Sequence, residues 1–305
     1  MTPKWWRQYV DRREFLGLSG LVLGGLGSAT AAEPALLPTG VKAVWDLDKA
    51  HRDKTATRER VCLNGLWRWQ PGRESADSVP DDGWGYFKVP GFWPGNSNYI
   101  QEDCQTLHAH PKWKDADLRG TTAAWYQREL TVPEGWTGRR IALCAEYVNS
   151  FAVVYVDGKK VGEVRFPAGE VDLSAACRPG DKHVLSLLVL ALPLKGVLLS
   201  YTDTNSAREV KGAVERRGLC GDVYLVATPS AARVADVKID TSVRKGEVTV
   251  RAALEGLAAD ASFALRVKIE QHGRTVREFA SKAFKAGDLK GGRVAVFEKW
   301  KPEKL

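Results

Sequence analysis

From Arg58 onward, apolar residues recur at every second position in short runs broken by Gly, Pro, Asn and Asp, and almost no stretch carries convincing helical spacing. A chain with that period can bury one face of each segment only by pairing it as a strand, which predicts an all-β fold. Val153-Val154-Tyr155-Val156 leads into Asp157-Gly158 and on to Lys159-Lys160-Val161-Gly162. An Asp-Gly pair between two such runs predicts a two-residue hairpin, because both turn positions need positive φ. Leu63-Asn64-Gly65 offers a second turn, after which Trp67 and Trp69 fall on one face of a strand. Further strands are expected at 125–132, 139–147, 184–192 and 222–227, a spacing that suggests a β-sandwich.

A boundary is expected near Thr228-Pro229-Ser230, where a new alternating series begins. Val237, Ile239, Thr241 and Val243 are followed by Val248, Val250 and Ala252, then by Phe263, Leu265, Val267 and Ile269. Each reads as a half-buried antiparallel strand. About five strands fit before Leu305, against about seven in an immunoglobulin-like sandwich, so this second domain is expected to be truncated.

The first 32 residues read differently. Lys4, Arg7, Arg12 and Arg13 precede an apolar run from Phe15 to Leu26, and the small residues Ser28-Ala29-Thr30-Ala31-Ala32 follow. That is the order of a secretory signal. Asp11-Arg12-Arg13-Glu14-Phe15-Leu16 resembles the twin-arginine export motif, so residues 1–32 are expected to be a removable leader and the protein periplasmic or extracellular. No run of 18 or more apolar residues exists, and no membrane span is expected. The five cysteines are odd in number and widely spaced, unlike a disulfide scaffold, and are expected to be mostly buried thiols.

The chain carries 45 Lys and Arg against 37 Asp and Glu, a net charge of +8. The excess lies mostly in 229–305, whereas eight of the eleven Trp lie between Trp45 and Trp136. A nucleic-acid surface would interleave base and aromatic, so no nucleic-acid partner is expected. Trp67, Trp69 and Trp125 sit in strands and read as core. Trp93 and Trp113 fall in an unusually long connection, Phe92 to Ala123, where aromatic faces are free to stack on sugar rings. Cys104, His108 and His110 in the same connection offer too few ligands for a structural zinc site, and neither a metal nor any other cofactor is expected. No Gly-x-Ser-x-Gly or phosphate-binding loop is present in the mature part.

Five stretches in order carry a family resemblance: Leu63-Asn64-Gly65-Leu66-Trp67, Val89-Pro90-Gly91-Phe92-Trp93, Ala124-Trp125-Tyr126-Gln127-Arg128, Val153 to Gly162, and Gly218-Leu219-Cys220-Gly221-Asp222-Val223-Tyr224-Leu225. Over roughly 170 residues they resemble the N-terminal sugar-binding sandwich of family 2 glycoside hydrolases, the group of β-galactosidases, β-glucuronidases and β-mannosidases. Residues 229–305 look like that family's next, immunoglobulin-like domain, ending in Trp300-Lys301-Pro302-Glu303. The resemblance implies a galactose-binding-like jelly-roll sandwich at 42–228 and a partial immunoglobulin-like sandwich at 229–305.

It also implies what the chain does. In the family, two catalytic Glu come from a (β/α)₈ barrel after the second sandwich, the acid/base Glu following an Asn, and these 305 residues contain no Asn-Glu pair. The expectation is the non-catalytic amino-terminal part of an exported enzyme that hydrolyses a β-glycoside with retention, with the catalytic barrel as missing partner. The other class left open is a stand-alone carbohydrate-binding module. The family's loop between the Val-Pro-Gly and Ala-Trp-Tyr stretches reaches toward the substrate pocket. By that resemblance and by their chemistry, Trp93, Asn98, Tyr99, His108, His110 and Trp113 are the carbohydrate-contact candidates. The sequence departs from the common pattern at Arg217, where many members have a small residue, and at Gly221, where many have Arg.

Overall fold

The computed structural model describes residues 36–75, 78–93, 107–191, 195–201, 207–213 and 216–301. The leader expected at 1–32 lies outside them. Through the first sandwich the strands are β1 (Arg52–Lys54), β2 (Glu59–Cys62), β3 (Gly65–Pro71), β4 (Gly85–Val89), β5 (Leu107–His108), β6 (Ala123–Thr131), β7 (Arg139–Ala145) and β8 (Val148–Asn149). They continue as β9 (Phe151–Val156), β10 (Lys159–Arg165), β11 (Gly169–Asp172), β12 (Lys182–Leu190), β13 (Lys195–Tyr201), β14 (Ala207–Ala213), β15 (Gly218–Leu219) and β16 (Val223–Pro229). Among the described residues the only helical elements are two 3₁₀ turns, Glu134–Trp136 and Ala286–Asp288, and no helix is long and apolar enough to cross a membrane.

Two antiparallel sheets face one another, with strand orders β1-β2-β16-β7-β11 and β10-β9-β12-β6-β3-β4-β5. Alternation along each strand decides what lies between them. Trp67, Trp69, Phe87, Tyr126, Val154, Leu185 and Leu187 from the seven-stranded sheet share one buried cluster with Val61, Ile141, Leu143 and Leu225 from the five-stranded one. A buried Trp removes roughly 150–250 Å² from water, on the order of 4–6 kcal/mol of gross transfer free energy before entropy is charged against it. The alternate positions of the larger sheet are apolar at one end as well: Trp84, Trp125, Val153, Tyr155 and Leu188 form a second buried cluster. That is why β6, β9 and β12 read as nearly continuous apolar runs instead of strict alternations.

The hairpin expected at Asp157-Gly158 is present, with φ of 49° and 76° and the flanking strands β9 and β10 paired directly across it. Its Asp side chain does more than turn the chain. The Asp157 carboxylate accepts from the backbone of Val184 at 2.8 Å and pairs with Nδ1 of the largely buried His183 at 2.7 Å. His183 Nε2 in turn accepts from the Arg178 backbone at 3.1 Å, which makes Nδ1 the protonated nitrogen of the neutral ring. Partial burial pushes the Asp157 carboxyl up, but the hydrogen bonds from Val184 and His183 outweigh it and leave it below its ordinary value.

The turn at Asn64-Gly65 is held from below by a buried cation. Arg128, on the inward row of β6, donates to the carbonyls of Leu63 at 2.8 Å, Asn64 at 3.0 Å and Leu66 at 2.5 Å, and lies over the Trp67 ring at 5.1 Å. No carboxylate is within ion-pair distance of it among the described residues, and burial pushes its pKa down to about 10. Gly65 has φ of +123°, and a Cβ there would stand 3.3 Å from the guanidinium. Asn64 then ties the turn to β16, donating to Asp222 at 2.9 Å and accepting from the Val223 backbone at 3.1 Å.

Beyond Pro229 come β17 (Arg233–Ser242), β18 (Glu247–Glu255), β19 (Arg266–Gln271), β20 (Arg274–Ala280) and β21 (Arg293–Lys299). They form a three-stranded sheet, β17-β18-β21, and a two-stranded sheet, β19-β20, matching the five strands expected. The expected half-burial of the first of them does not hold. Val250 and Ala252 on the central strand are buried, but their cross-strand partners Ile239 and Val237 on β17 are 62% and 49% exposed, so the face that is covered over β18 is left uncovered over β17.

Two outcomes follow. Amide exchange in β17 and β21 should be faster than in β6, β7 and β12, whose side chains pack in the inter-sheet core; equal protection would contradict the difference in burial. Because the Asp157 carboxyl is lowered in the folded state, its contribution is fully present above the unfolded value near 3.9 and is lost as pH falls through the folded one. Denaturation of wild type and Asp157→Asn between about pH 2 and 7 should therefore show curves that diverge at neutral pH and converge in acid.

Candidate functional site

The connection from Phe92 to Ala123 leaves the sandwich and returns to it at fixed points. At its start, the Gly91 backbone donates to Leu219 at 2.9 Å and the Trp93 backbone donates to Arg217 at 2.9 Å. The Trp93 ring is fully buried, and its Nε1 donates to the Tyr126 hydroxyl at 2.6 Å. Burial pushes the Tyr126 phenol well up, so it stays protonated as a neutral partner. A Cβ at Gly218, where φ is +109°, would come within 2.7 Å of both the Trp93 ring and the Tyr126 oxygen. The Gly218-Leu219 stretch is thus glycine-bearing because the indole lies against its backbone.

The return is pinned by Arg217, a buried side chain whose guanidinium donates to the carbonyls of Thr121 and, at 2.9 Å, Arg119, and sits 5.8 Å from the Trp93 ring centroid. One cation therefore fastens the departing and the returning ends of the same loop. The position that departs from the family's small residue is a structural clamp.

Between those ends, Leu107 and His108 form β5 and extend the larger sheet, His108 opposite Tyr86 and Leu107 opposite Phe87. A tight turn follows, in which the Trp113 backbone donates to His110 O at 3.0 Å and the Lys112 backbone donates to His110 Nδ1 at 3.1 Å. The half-buried Trp113 indole donates to Gly83 O at 2.7 Å and meets Trp69 edge-on, 5.4 Å between centroids at 73°. Gly85 makes this possible, since a Cβ there would lie 2.4 Å from His108 O and 2.6 Å from the Trp113 ring.

Of the six contact candidates, the structure gathers His108, His110 and Trp113 on one short returning segment against β4. Trp93 lies inside the core as the anchor of the loop, with no surface to offer a ligand. Asn98 and Tyr99, like Cys104, lie outside the described residues. The four described cysteines, Cys62, Cys144, Cys177 and Cys220, are free thiols, and no cluster of metal-ligating side chains occurs among the described residues. Burial raises all four thiol pKa values, Cys177 and Cys220 to about 12, which makes them poor nucleophiles. Sequence reasoning had no means of assigning the clamping roles of Arg217, Tyr126 and Gly85. The one visible signal was that Arg217 broke the family pattern.

An all-β sandwich with a clamped loop, followed by a second set of strands, defines the class: the chain resembles the amino-terminal region of family 2 glycoside hydrolases. The proteins it is similar to include β-glucuronidases. It is 27% identical over 259 residues to a β-glucuronidase of Felis catus, covering 74% of this chain and 37% of the cat protein. Among solved structures it is similar to the β-glucuronidase of Bifidobacterium dentium complexed with coumarin-3-O-glucuronide, with a TM-score of 0.55 and 18% identity over 81% of this chain and 43% of that one. The β-glucuronidase of Dictyoglomus thermophilum gives a TM-score of 0.52 and 18% identity over 77% and 38%. At those identities the likeness to the solved structures is one of fold. No family model matches the chain. It spans less than half the length of each of these relatives.

Replacing Arg217 by Met removes the donors to the Thr121 and Arg119 carbonyls and the contact with Trp93, and should cost roughly 1–3 kcal/mol of stability while making the 107–121 segment more susceptible to protease. Gly85→Ala should displace Trp113 and cost on the order of 1–3 kcal/mol. Urea melts and limited proteolysis read both; a G85A protein with unchanged Trp113 fluorescence and stability would contradict the close packing.

Proposed function

We propose that this chain is the non-catalytic amino-terminal portion of an exported family 2 glycoside hydrolase acting on a β-glucuronide. Its clamped loop then forms one wall of a substrate pocket whose two carboxylates belong to a barrel outside these residues. The observation that carries the reading is the 27% identity to the cat β-glucuronidase, sustained over 259 residues and confined to 37% of that protein. The loop geometry supports it. A wall that contacts substrate supplied from another domain must be rigid at its base and open at its tip. Here Arg217 and Trp93 hold the base, while Lys112, Asp115 and Asp117 at the turn are exposed.

In such a pocket His108, His110 and Trp113 position sugar hydroxyls and one sugar face, with Asn98 and Tyr99 completing the wall by the same resemblance. Hydrolysis with retention needs two carboxyl groups about 5–5.5 Å apart on either side of the glycosidic bond, which this reading assigns to the barrel. A tip that only walls the pocket should affect substrate binding more than turnover.

The test is to purify the 305-residue chain and assay it with a chromogenic β-glucuronide, alone and fused to the barrel encoded downstream if the reading frame continues. No release by the chain alone and release by the fusion, with a raised KM on Trp113→Ala, is the expected outcome. Hydrolysis by the chain alone that disappears on changing one of its own Asp or Glu residues would overturn the assignment.

A further inference from the structure

We infer that the outer face of the larger sheet carries a binding cleft for an acidic saccharide, adjoining β5 but lined by none of the loop's residues, and independent of the pocket-wall reading. The face outside the inter-sheet core is not uniform. At one end it is closed by the Trp84, Trp125 and Leu188 cluster. At the other it opens into a cleft of about 380 Å³, within the roughly 300–1,000 Å³ range of small-molecule sites. Its floor presents Arg68 from β3, Tyr86 from β4, Gln127 and Glu129 from β6 and Lys182 from the start of β12, and the segment carrying Lys42 and Trp45 passes along it.

The floor is pre-arranged by strand register. Arg68 stands directly opposite both Tyr86 and Gln127, so the three side chains form one row across adjacent strands. Arg68 donates to Gln127 Oε1 at 3.2 Å, and Gln127 Nε2 donates to the fully buried Ser186 hydroxyl at 3.3 Å. That fixes the amide and aims it, and leaves most of the guanidinium's donors uncommitted. Trp45 is held by its own indole donating to Cys62 O at 2.9 Å.

The electrostatics select the ligand. Several cations elsewhere on the sandwich have a carboxylate: Lys160 and Arg165 on β10 with Glu163, and Arg140 on β7 with Glu170 and Asp172. Around the cleft, Arg68, Lys182 and Lys42 have none within ion-pair distance among the described residues, and Glu129 likewise has no cationic partner there. Three uncommitted cations favour an anion. A bare phosphate or sulfate has no use for Tyr86 and is repelled by Glu129. A neutral sugar uses the ring, the amide and the carboxylate acceptor but leaves the cations idle. A sugar bearing a carboxylate uses all of them: its acid group on Arg68 and Lys182, its hydroxyls donating to Glu129 and accepting from Gln127, and its apolar face on Tyr86.

Isothermal titration of the full 305-residue chain at low salt against a glucuronosyl-glucose disaccharide tests this, with cellobiose and sodium sulfate as comparison probes. Expected is millimolar or tighter binding of the acidic disaccharide, weaker binding of both comparison probes, and a loss of about tenfold or more in Arg68→Gln/Lys182→Gln with an unchanged melting temperature. Amide shift changes should centre on Arg68, Gln127 and Lys182. Absence of binding, equal binding of cellobiose or sulfate, or wild-type affinity in the double variant would overturn the cleft. Shifts centred on residues 107–116 would overturn it too, while leaving the loop reading intact; hydrolysis assays with the barrel fusion fail or succeed independently of all these outcomes.

Discussion

Arg128 is the one charged side chain on which the first sandwich turns. Its guanidinium reaches the carbonyls of Leu63, Asn64 and Leu66 around the Asn64-Gly65 turn, and it does so from the inward face of a central strand. A neutral residue there would remove these three donated bonds, though Leu63 O also accepts from the Trp67 indole, and a carboxylate partner would have to be buried alongside. The protein instead accepts a desolvated cation and distributes its charge over backbone oxygens and the Trp67 ring. The spacing of Leu63-Asn64-Gly65-Leu66-Trp67 follows from this: glycine clears the guanidinium, the tryptophan stacks on it, and the asparagine carries the turn over to Asp222 on the opposite sheet.

The same device recurs at the loop. Arg217 also spends its charge on backbone carbonyls, and the aromatic it lies near, Trp93, is itself anchored on Tyr126. Tyr126 and Arg128 are inward neighbours on β6, two residues apart on the same face. The turn at Asn64 and the base of the long loop are thus mounted on one strand. A shift in β6 relative to β3 would be felt by both, which makes the loop's position a property of the core rather than of the loop's own sequence.

Much of the fold was legible because it is local. Asp157-Gly158 names a two-residue turn by its φ requirements alone, and the observed 49° and 76° are what that pair of residues tolerates best. Period-two counting puts Trp67 and Trp69 on one face of a strand, and both are fully buried. What was not legible depends on a layer supplied from elsewhere in the chain. Trp93 reads as a loop aromatic, and only the approach of Gly218 and Tyr126 turns it into core. Val237 and Ile239 alternate as faithfully as Val248 and Val250, yet alternation reports only which face a residue takes and not whether anything covers that face.

That distinction also explains why the chemistry of the cleft escapes pattern reading. Arg68 and Gln127 are 59 residues apart, Lys182 is further still, and each alone is an ordinary outward-facing polar position in a strand. Antiparallel register sets Arg68 and Gln127 in one row with Tyr86, and Arg68, Lys182 and Lys42 outnumber the one carboxylate, Glu129, which gives the surface a sign. Cross-strand placement therefore does for this sheet what a contiguous motif does for a phosphate loop: it sets donors at fixed separations before any ligand arrives, so little ordering entropy remains to be lost on binding.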